Sequence, residues 1–244
     1  MIDNINWYKS WFNSPFYPIL YQNRDSRDAR ELIDNLIPTL EVGENTRFLD
    51  LACGRGRHAI YLNSKGFDVT GLDMSKSSVL EASQHINMNL RFLVGDMRNI
   101  PFENHFDIVM NLFTSFGYFE DAIDNLTTLK SVYQALKPEG VFILDFFNTP
   151  RILKEMVEEE KKEIQGVEFH IARTYVDGKI RKQIEFEHND SDYYFEERVE
   201  ALHLDDFKRL FEEAGFQVKV TYGDYALNPY NAETSERIIV IGSK

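Results

Sequence analysis

The amino-acid sequence predicts an α/β fold: a doubly wound, mostly parallel sheet interrupted by one antiparallel β insertion. Three observations carry that expectation. Short apolar runs alternate with segments of helical period along most of the chain. A glycine-containing loop joins the first run to a helix, and acidic or amide residues close the runs after it. Between 161 and 203 the pattern changes to the alternation of two-sided strands.

Taken in order, an aromatic N-terminal stretch (Trp7, Tyr8, Trp11, Phe12, Phe16, Tyr17, Tyr21) precedes a helix set by Ala29, Leu32, Ile33 and Leu36. The first strand, from Phe48 to Leu51, runs into Ala52-Cys53-Gly54-Arg55-Gly56-Arg57-His58-Ala59. Gly54 and Gly56 reach backbone angles closed to other residues and leave no Cβ in the way. A ligand can therefore lie against the main chain, over a helix N-terminus. Gly66 ends that helix, and strands follow from Phe67 to Asp73, Leu90 to Val94, Phe106 to Asn111 and Gly140 to Asp145. Ala122, Ile123, Leu126, Leu129, Tyr133 and Leu136 recur at helical spacing, with Pro138-Glu139-Gly140 as the stop. A last helix carries Phe207, Leu210, Phe211 and Ala214, is started by Asp205 or Asp206 and is ended by Gly215. The runs from Phe216 to Tyr222 and from Arg237 to Ile241 form a terminal strand pair.

The insertion reads as three alternating runs: Ile164, Val167, Phe169, Ile171; then Ile180, Ile184, Phe186; then Tyr194, Val199, Leu202. Asp177-Gly178 is a tight-turn signal between the first two, and Asn189-Asp190-Ser191-Asp192 a looser one. The chain thus divides into a core of 1–160 with 204–244 and an insertion of 161–203. A small antiparallel unit needs its apolar face covered. Two covers are available: the substrate cleft, of which the insertion would form a wall, or a second copy of the chain in a homodimer.

Composition narrows the function classes. With 27 basic and 40 acidic residues the formal charge is −13, which disfavours nucleic acid as a partner. No segment approaches the roughly 20 apolar residues of a membrane helix, and the early aromatic stretch is broken by Asp3, Lys9, Pro15 and Pro18. The single cysteine, Cys53, fits a reducing compartment, so a cytoplasmic location is expected. The histidines show no metal-ligand spacing, and no metal is expected.

Asp50, Asp73, Asp96 and Asn111 fall at or just beyond successive strand ends, the edge where open α/β sheets bind ligands. Gly54-x-Gly56-x-x-Ala59 also fits the dinucleotide fingerprint of nicotinamide enzymes. Such an enzyme has no need of the acidic position after the third strand, nor of Phe113-Thr114-Ser115-Phe116-Gly117-Tyr118-Phe119. With those segments the chain resembles the class I S-adenosylmethionine-dependent methyltransferases. It is most similar to small bacterial members with an LxCGxGRH loop (Leu51 to His58), a GDMR segment (Gly95-Asp96-Met97-Arg98) and the FTSFGYF segment, and less so to amino-sugar N-methyltransferases.

The resemblance implies a seven-stranded Rossmann-like sheet with an antiparallel last strand, S-adenosylmethionine as cofactor, S-adenosylhomocysteine as product and a small-molecule N or O acceptor. It implies cofactor contacts from Asp50 (methionine ammonium), Asp73 (ribose hydroxyls) and Asp96 with Met97 (adenine). It extends these to Ala52, Cys53, Gly54, Gly56 and Arg57 in the loop, to Met74 and Ser75 after the second strand, and to Gly95. After the fourth strand it adds Asn111, Leu112 and Phe113. Tyr21 and Arg24 are the N-terminal residues expected nearest the ligand. Each has a structural alternative: Asp50 can cap the following turn, Asp73 can cap a helix, and Cys53 reads as packing rather than as a nucleophile. Tyr118 and His58 are the candidate catalytic groups.

A methyl sulfonium is already activated, so orientation and exclusion of water supply most of the acceleration. Enzymes that methylate planar amino groups often carry (Asp/Asn)-Pro-Pro-aromatic after the fourth strand; here Asn111 is followed by Leu112-Phe113-Thr114. That departure leaves an aliphatic amine, a hydroxyl or a small acid as acceptor. A non-catalytic cofactor-binding or scaffold protein of the same fold is the second reading.

Overall fold

The structure is a computed structural model and describes residues 7–22 and 26–244. Its main sheet has the strand order β10-β11-β5-β4-β1-β2-β3. These are β1 (Arg47–Leu51), β2 (Asp68–Asp73), β3 (Leu90–Val94), β4 (Phe106–Asn111), β5 (Leu136–Phe147), β10 (Gln217–Tyr222) and β11 (Arg237–Ser243). Only β11 runs against the others, pairing antiparallel with both β5 and β10. The doubly wound reading therefore holds, reversed strand included.

Neighbouring residues of the central strands enter opposite cores, as the two-residue period of a strand requires. Leu49, Val109, Phe142 and Val240 face one layer, with Leu129 of α6 (Ile123–Ala135) and Phe207 and Phe211 of α8 (Leu204–Ala214). Phe48, Ile108, Ile143 and Ile239 face the other, with Leu32 and Leu36 of α3 (Ser26–Leu36), Leu62 of α4 (Arg57–Ser64) and Val79 of α5 (Lys76–Ala82).

Two helix boundaries differ from expectation. α6 stops at Ala135, ahead of Pro138, and Leu136 already pairs with Phe106 of β4. The proline's exclusion of its neighbour from the helical region reaches back toward the helix. α8 is capped by His203; Asp206 is the third helical residue and accepts from the His203 N–H at 3.0 Å, closing a capping box. Gly215 ends it at φ +100°.

A second, four-stranded sheet of order β6-β7-β8-β9 comprises β6 (Glu159–Ile164), β7 (Val167–Val176), β8 (Lys179–His188) and β9 (Ser191–Glu200). The first expected run is two strands, because Gln165-Gly166 turns the chain at φ +50° and +76°. Asp177-Gly178 and Asn189-Asp190 do the same with positive φ at both positions, the geometry that matches strand twist in two-residue hairpins. The second of these is as tight as the first.

The apolar face of this sheet is packed from within the chain, by the N-terminal helices. Val167, Phe169, Ile171, Ile184 and Phe186 pack under Trp7 and Trp11 of α1 (Trp7–Phe12), under Phe16, and under Leu20 of α2 (Tyr17–Leu20). The Trp11 and Phe195 rings lie 4.6 Å apart, as do those of Phe16 and Phe186. Trp11 Nε1 donates to Glu197 Oε1 at 2.6 Å, satisfying the indole N–H at the buried end of α1.

Candidate active site

A cleft of about 930 Å³, open to solvent, lies at the C-terminal ends of β1, β2, β3 and β4. Its floor is mostly backbone. After β1 the chain takes left-handed angles at Ala52 (φ +60°), Gly54 (+53°) and Gly56 (+81°). The Ala52 N–H donates to the Leu72 carbonyl at 2.7 Å, and the Gly54 N–H to Asp73 Oδ2 at 2.8 Å, so the loop is tied to the end of β2. Asp73 Oδ1 accepts from the Ser75 N–H at 2.7 Å. Burial raises the pKa of this carboxyl, against those two backbone donors.

Of the residues expected to contact the cofactor, Ala52, Gly54, Asp73, Met74, Ser75, Gly95, Asp96, Met97 and Phe113 line the cleft. At Gly54 a Cβ would meet nothing within 4 Å, so that position faces open space. Gly56 is required for another reason: its Cβ would lie 2.7 Å from the Phe92 ring. Asp96 is gripped by Arg98, with Nη2 2.6 Å from Oδ2, and Arg98 also donates to Asp124 at 2.7 Å. This floor suits a nucleoside: it offers the Asp73 carboxylate, two methionines, and a glycine edge without a side chain.

The remaining expected contacts lie outside the cleft. Asp50 is buried behind the loop, where Oδ2 accepts from the Ala59 N–H at 3.1 Å; it caps α4, and burial pushes its pKa up to about 7. Cys53 packs in the core, and Asn111 donates to the Leu51 carbonyl at 3.0 Å, with Leu112 buried beside it. Arg57 places its guanidinium 4.0 Å over the Phe113 ring. His58 is buried, its pKa pushed down to about 3 by burial, so it is neutral. Among the described residues, its Nε2 and Asn111 Oδ1 have no hydrogen-bond partner. Tyr21 is spent on the second sheet, donating to Glu197 at 2.5 Å and accepting from Lys182 at 2.7 Å. Arg24 lies outside the described residues.

The opposite wall is aromatic. Tyr8, Phe12 and Tyr17 come from the N-terminal helices, and Tyr118 and Phe119 from the segment after β4, with Thr114 and Ser115 between. Tyr118 packs 5.6 Å from Phe12 and 5.7 Å from Trp7, and its hydroxyl donates to the Thr114 carbonyl at 2.7 Å. The aromatic cluster thus divides its labour: Trp7, Trp11 and Phe16 grip the second sheet, while Tyr8, Phe12 and Tyr17 face the cleft. No residue of the second sheet lines the cleft; it touches the lining segments through α1 and α2 and through residues 117–120, where the Glu200 N–H donates to the Gly117 carbonyl at 2.8 Å and Lys179 Nζ to the Phe119 carbonyl at 3.1 Å. Asn13 Oδ1, from the turn between those helices, accepts from Ser75 Oγ at 2.9 Å and ties this wall to the floor.

Phe113 and Thr114 both stand at positive φ, +63° and +59°. For non-glycine residues that costs on the order of 1–3 kcal/mol each, and a β-branched residue is rare there. The restraints are Asp145 on β5 and Arg237 on β11, residues that sequence reasoning missed. Asp145 had a signal, since it falls within two residues of the end of β5, as Asp50 and Asp73 fall at or next to the ends of β1 and β2; Arg237 had none. Among the described residues no group of three His, Cys, Asp or Glu side chains is placed to hold a metal. No described helix is long and apolar enough to cross a membrane.

Comparison with known proteins places this geometry. The family described as "Methyltransferase domain" matches residues 43–215. A glycine/sarcosine N-methyltransferase of Halorhodospira halochloris is 33% identical over 207 residues, covering 82% of this chain and 76% of the relative. An S-adenosylmethionine-dependent methyltransferase structure from Clostridium acetobutylicum aligns with a TM-score of 0.79 at 19% identity, over 93% of this chain and 95% of that one. The S-adenosylmethionine-bound amino pentose methyltransferase CalS10 of Micromonospora echinaspora gives 0.72 at 17% identity, over 94% and 97%. At those identities the two structures share the fold.

Proposed function

The chain belongs to the methyltransferase domain family and carries the class I S-adenosylmethionine-dependent fold, and from that premise we propose that it methylates the nitrogen of a compact aliphatic amine. S-adenosylmethionine is the cofactor, and when bound it supplies an electrophilic methyl group on a sulfonium. Asp73 would hold the ribose hydroxyls, and Met74 with Met97 would flank the adenine. The bare edge at Gly54 lets the ligand approach the main chain.

The observation that carries the acceptor assignment is the aromatic wall with Tyr118 in it. The phenol proton is committed to the Thr114 carbonyl, so toward the cleft the oxygen serves as an acceptor. It therefore suits an N–H donor whose lone pair points at the methyl carbon. The lining carboxylates, Asp73 and Asp96, are held by backbone N–H groups and by Arg98. An amine that loses its proton to water needs no further base. Tyr8, Phe12, Tyr17 and Phe119 exclude water and offer ring faces to a cation, worth about 0.5–2 kcal/mol each. A relative named for N-methylation of glycine and sarcosine supports a nitrogen acceptor.

The test is methyl transfer from S-adenosylmethionine to glycine, sarcosine, ethanolamine, a free amino sugar and glycolate, read by S-adenosylhomocysteine release and product mass. N-methylation of at least one amine, with glycolate inert, is the expected result. Transfer to glycolate alone, or cofactor binding with no turnover on the amines, contradicts the proposal.

A further inference from the structure

We propose that Asp145 and Arg237 are positioning residues for methyl transfer, holding Phe113 and Thr114 in the left-handed conformation that presents residues 113–115 to the cleft. The inference rests on the cleft being the transfer site, not on which amine it takes.

The pair sits where β5 ends and β11 begins: the Asp145 side chain is 0% exposed and that of Arg237 17%. Arg237 Nε donates to Asp145 Oδ1 at 2.7 Å. The other carboxylate oxygen, Oδ2, accepts from the Phe113 N–H at 2.7 Å and from the Tyr225 hydroxyl at 3.1 Å. The Asp145 carbonyl accepts from the Thr114 N–H at 3.0 Å. Thr114 Oγ1 accepts from Arg237 Nη2 at 3.0 Å and from the Phe147 N–H at 3.1 Å. The Phe113 ring stacks against Tyr225, 6.3 Å between centroids, with Arg57 and Arg237 over it at 4.0 and 5.6 Å. Both strained residues thus have their N–H groups fixed by one aspartate, and the threonine hydroxyl by the arginine paired to it.

A role in joining two strands does not account for this arrangement. β5 and β11 already pair over seven residues, from Arg237 with Phe147 to Ser243 with Val141. The additional hydrogen bonds leave the sheet and end on the loop. Asp145, Arg237 and Tyr225 do not line the cleft, whereas Phe113, Thr114 and Ser115 do. The pair therefore acts through the loop. It sets where the Thr114 carbonyl stands, and that carbonyl accepts the hydrogen bond of the Tyr118 hydroxyl.

Hydrogen–deuterium exchange of the full chain, with calorimetric S-adenosylhomocysteine affinity and turnover on the amine panel, tests this. In Arg237→Met, amides 113–116 should exchange at least about tenfold faster while 106–111 stay within about twofold. Affinity should stay within about threefold, and kcat should fall at least about tenfold with KM little changed. Thr114→Gly in the same background suits the left-handed region and should slow that exchange again. If the lone buried carboxylate unfolds Arg237→Met, the double variant Asp145→Asn/Arg237→Met leaves no unpaired charge and carries the same expectation. Unchanged exchange at 113–116, or an increase spread equally through β4 and β5, overturns the proposal. Local loosening with no turnover on any amine, even by the wild type, overturns the acceptor assignment and supports the loop's dependence on the pair.

Discussion

The two walls of the cleft are built by different means. The floor is the short loop from Ala52 to Gly56, whose N–H groups are tied to the end of β2 at Leu72 and Asp73, with glycine where a side chain would intrude. The aromatic wall is assembled from side chains on distant segments, namely α1 and α2, the second sheet beneath them, and a strained loop restrained from β5 and β11. A floor fixed by local backbone geometry suits a cofactor whose shape does not vary. A wall made of side chains on separate supports can change its acceptor without disturbing that floor. The two should therefore fail separately.

Damage to the floor should be largest and confined to the cofactor. Gly54→Val puts a β-branched residue at φ +53° and a side chain into the open edge, and should weaken S-adenosylhomocysteine at least about 100-fold by calorimetry. Asp73→Ala should cost about 1.5–3 kcal/mol of the same affinity, the usual worth of hydrogen bonds to a charged group. Wild-type affinity in both variants would break the comparison at its first term.

Damage to the wall should spare that affinity. Trp11→Ala touches no ligand, yet removes the ring that seats α1 on Phe195 and Glu197. It should cost about 3–5 kcal/mol of stability and raise the KM for the amine, with S-adenosylhomocysteine binding within about threefold. Equal losses of both affinities would show that the two walls are one cooperative unit. Tyr118→Phe, which removes only a hydroxyl, should lower kcat by roughly tenfold with little change in stability.

A last effect, on stability alone, separates a cap from a ligand. Burial raises the Asp50 pKa from 3.8 to about 7, so the folded chain keeps a proton that the unfolded chain releases. The carboxylate's contribution is therefore neutral below about pH 4, becomes destabilising as pH rises through about 7, and is constant above that, by a few kcal/mol at most. Asp50→Asn should match the wild type in Tm near pH 4 and exceed it at pH 8. A flat difference between those pH values would contradict the buried-cap account.

What the sequence disclosed follows the same division. Gly54, Asp73 and Gly95-Asp96-Met97 were legible because the backbone imposes their residue types within a few positions of each strand end. Asp50 and Gly56 were legible as special, but a buried cap and a glycine pressed on Phe92 leave the same trace in a sequence as ligand contacts. Tyr8 and Phe12 were visible only as part of an aromatic cluster; which rings face the cleft depends on how α1 sits on the second sheet. The hairpin at Gln165-Gly166 escaped notice although Ile164 and Val167 are out of phase, an odd step that alternation within one strand does not allow. Arg237 is 92 residues from Asp145, and no local pattern links them.

A crystal structure with S-adenosylhomocysteine bound tests the central claim most directly. The ribose hydroxyls should rest on the Asp73 carboxylate, with the adenine beside Met97 and the sulfur turned toward Tyr8, Phe12 and Tyr118. A ligand seated away from Asp73, or one whose sulfur faces away from the aromatic wall, would contradict the division of the cleft into a cofactor floor and an acceptor wall.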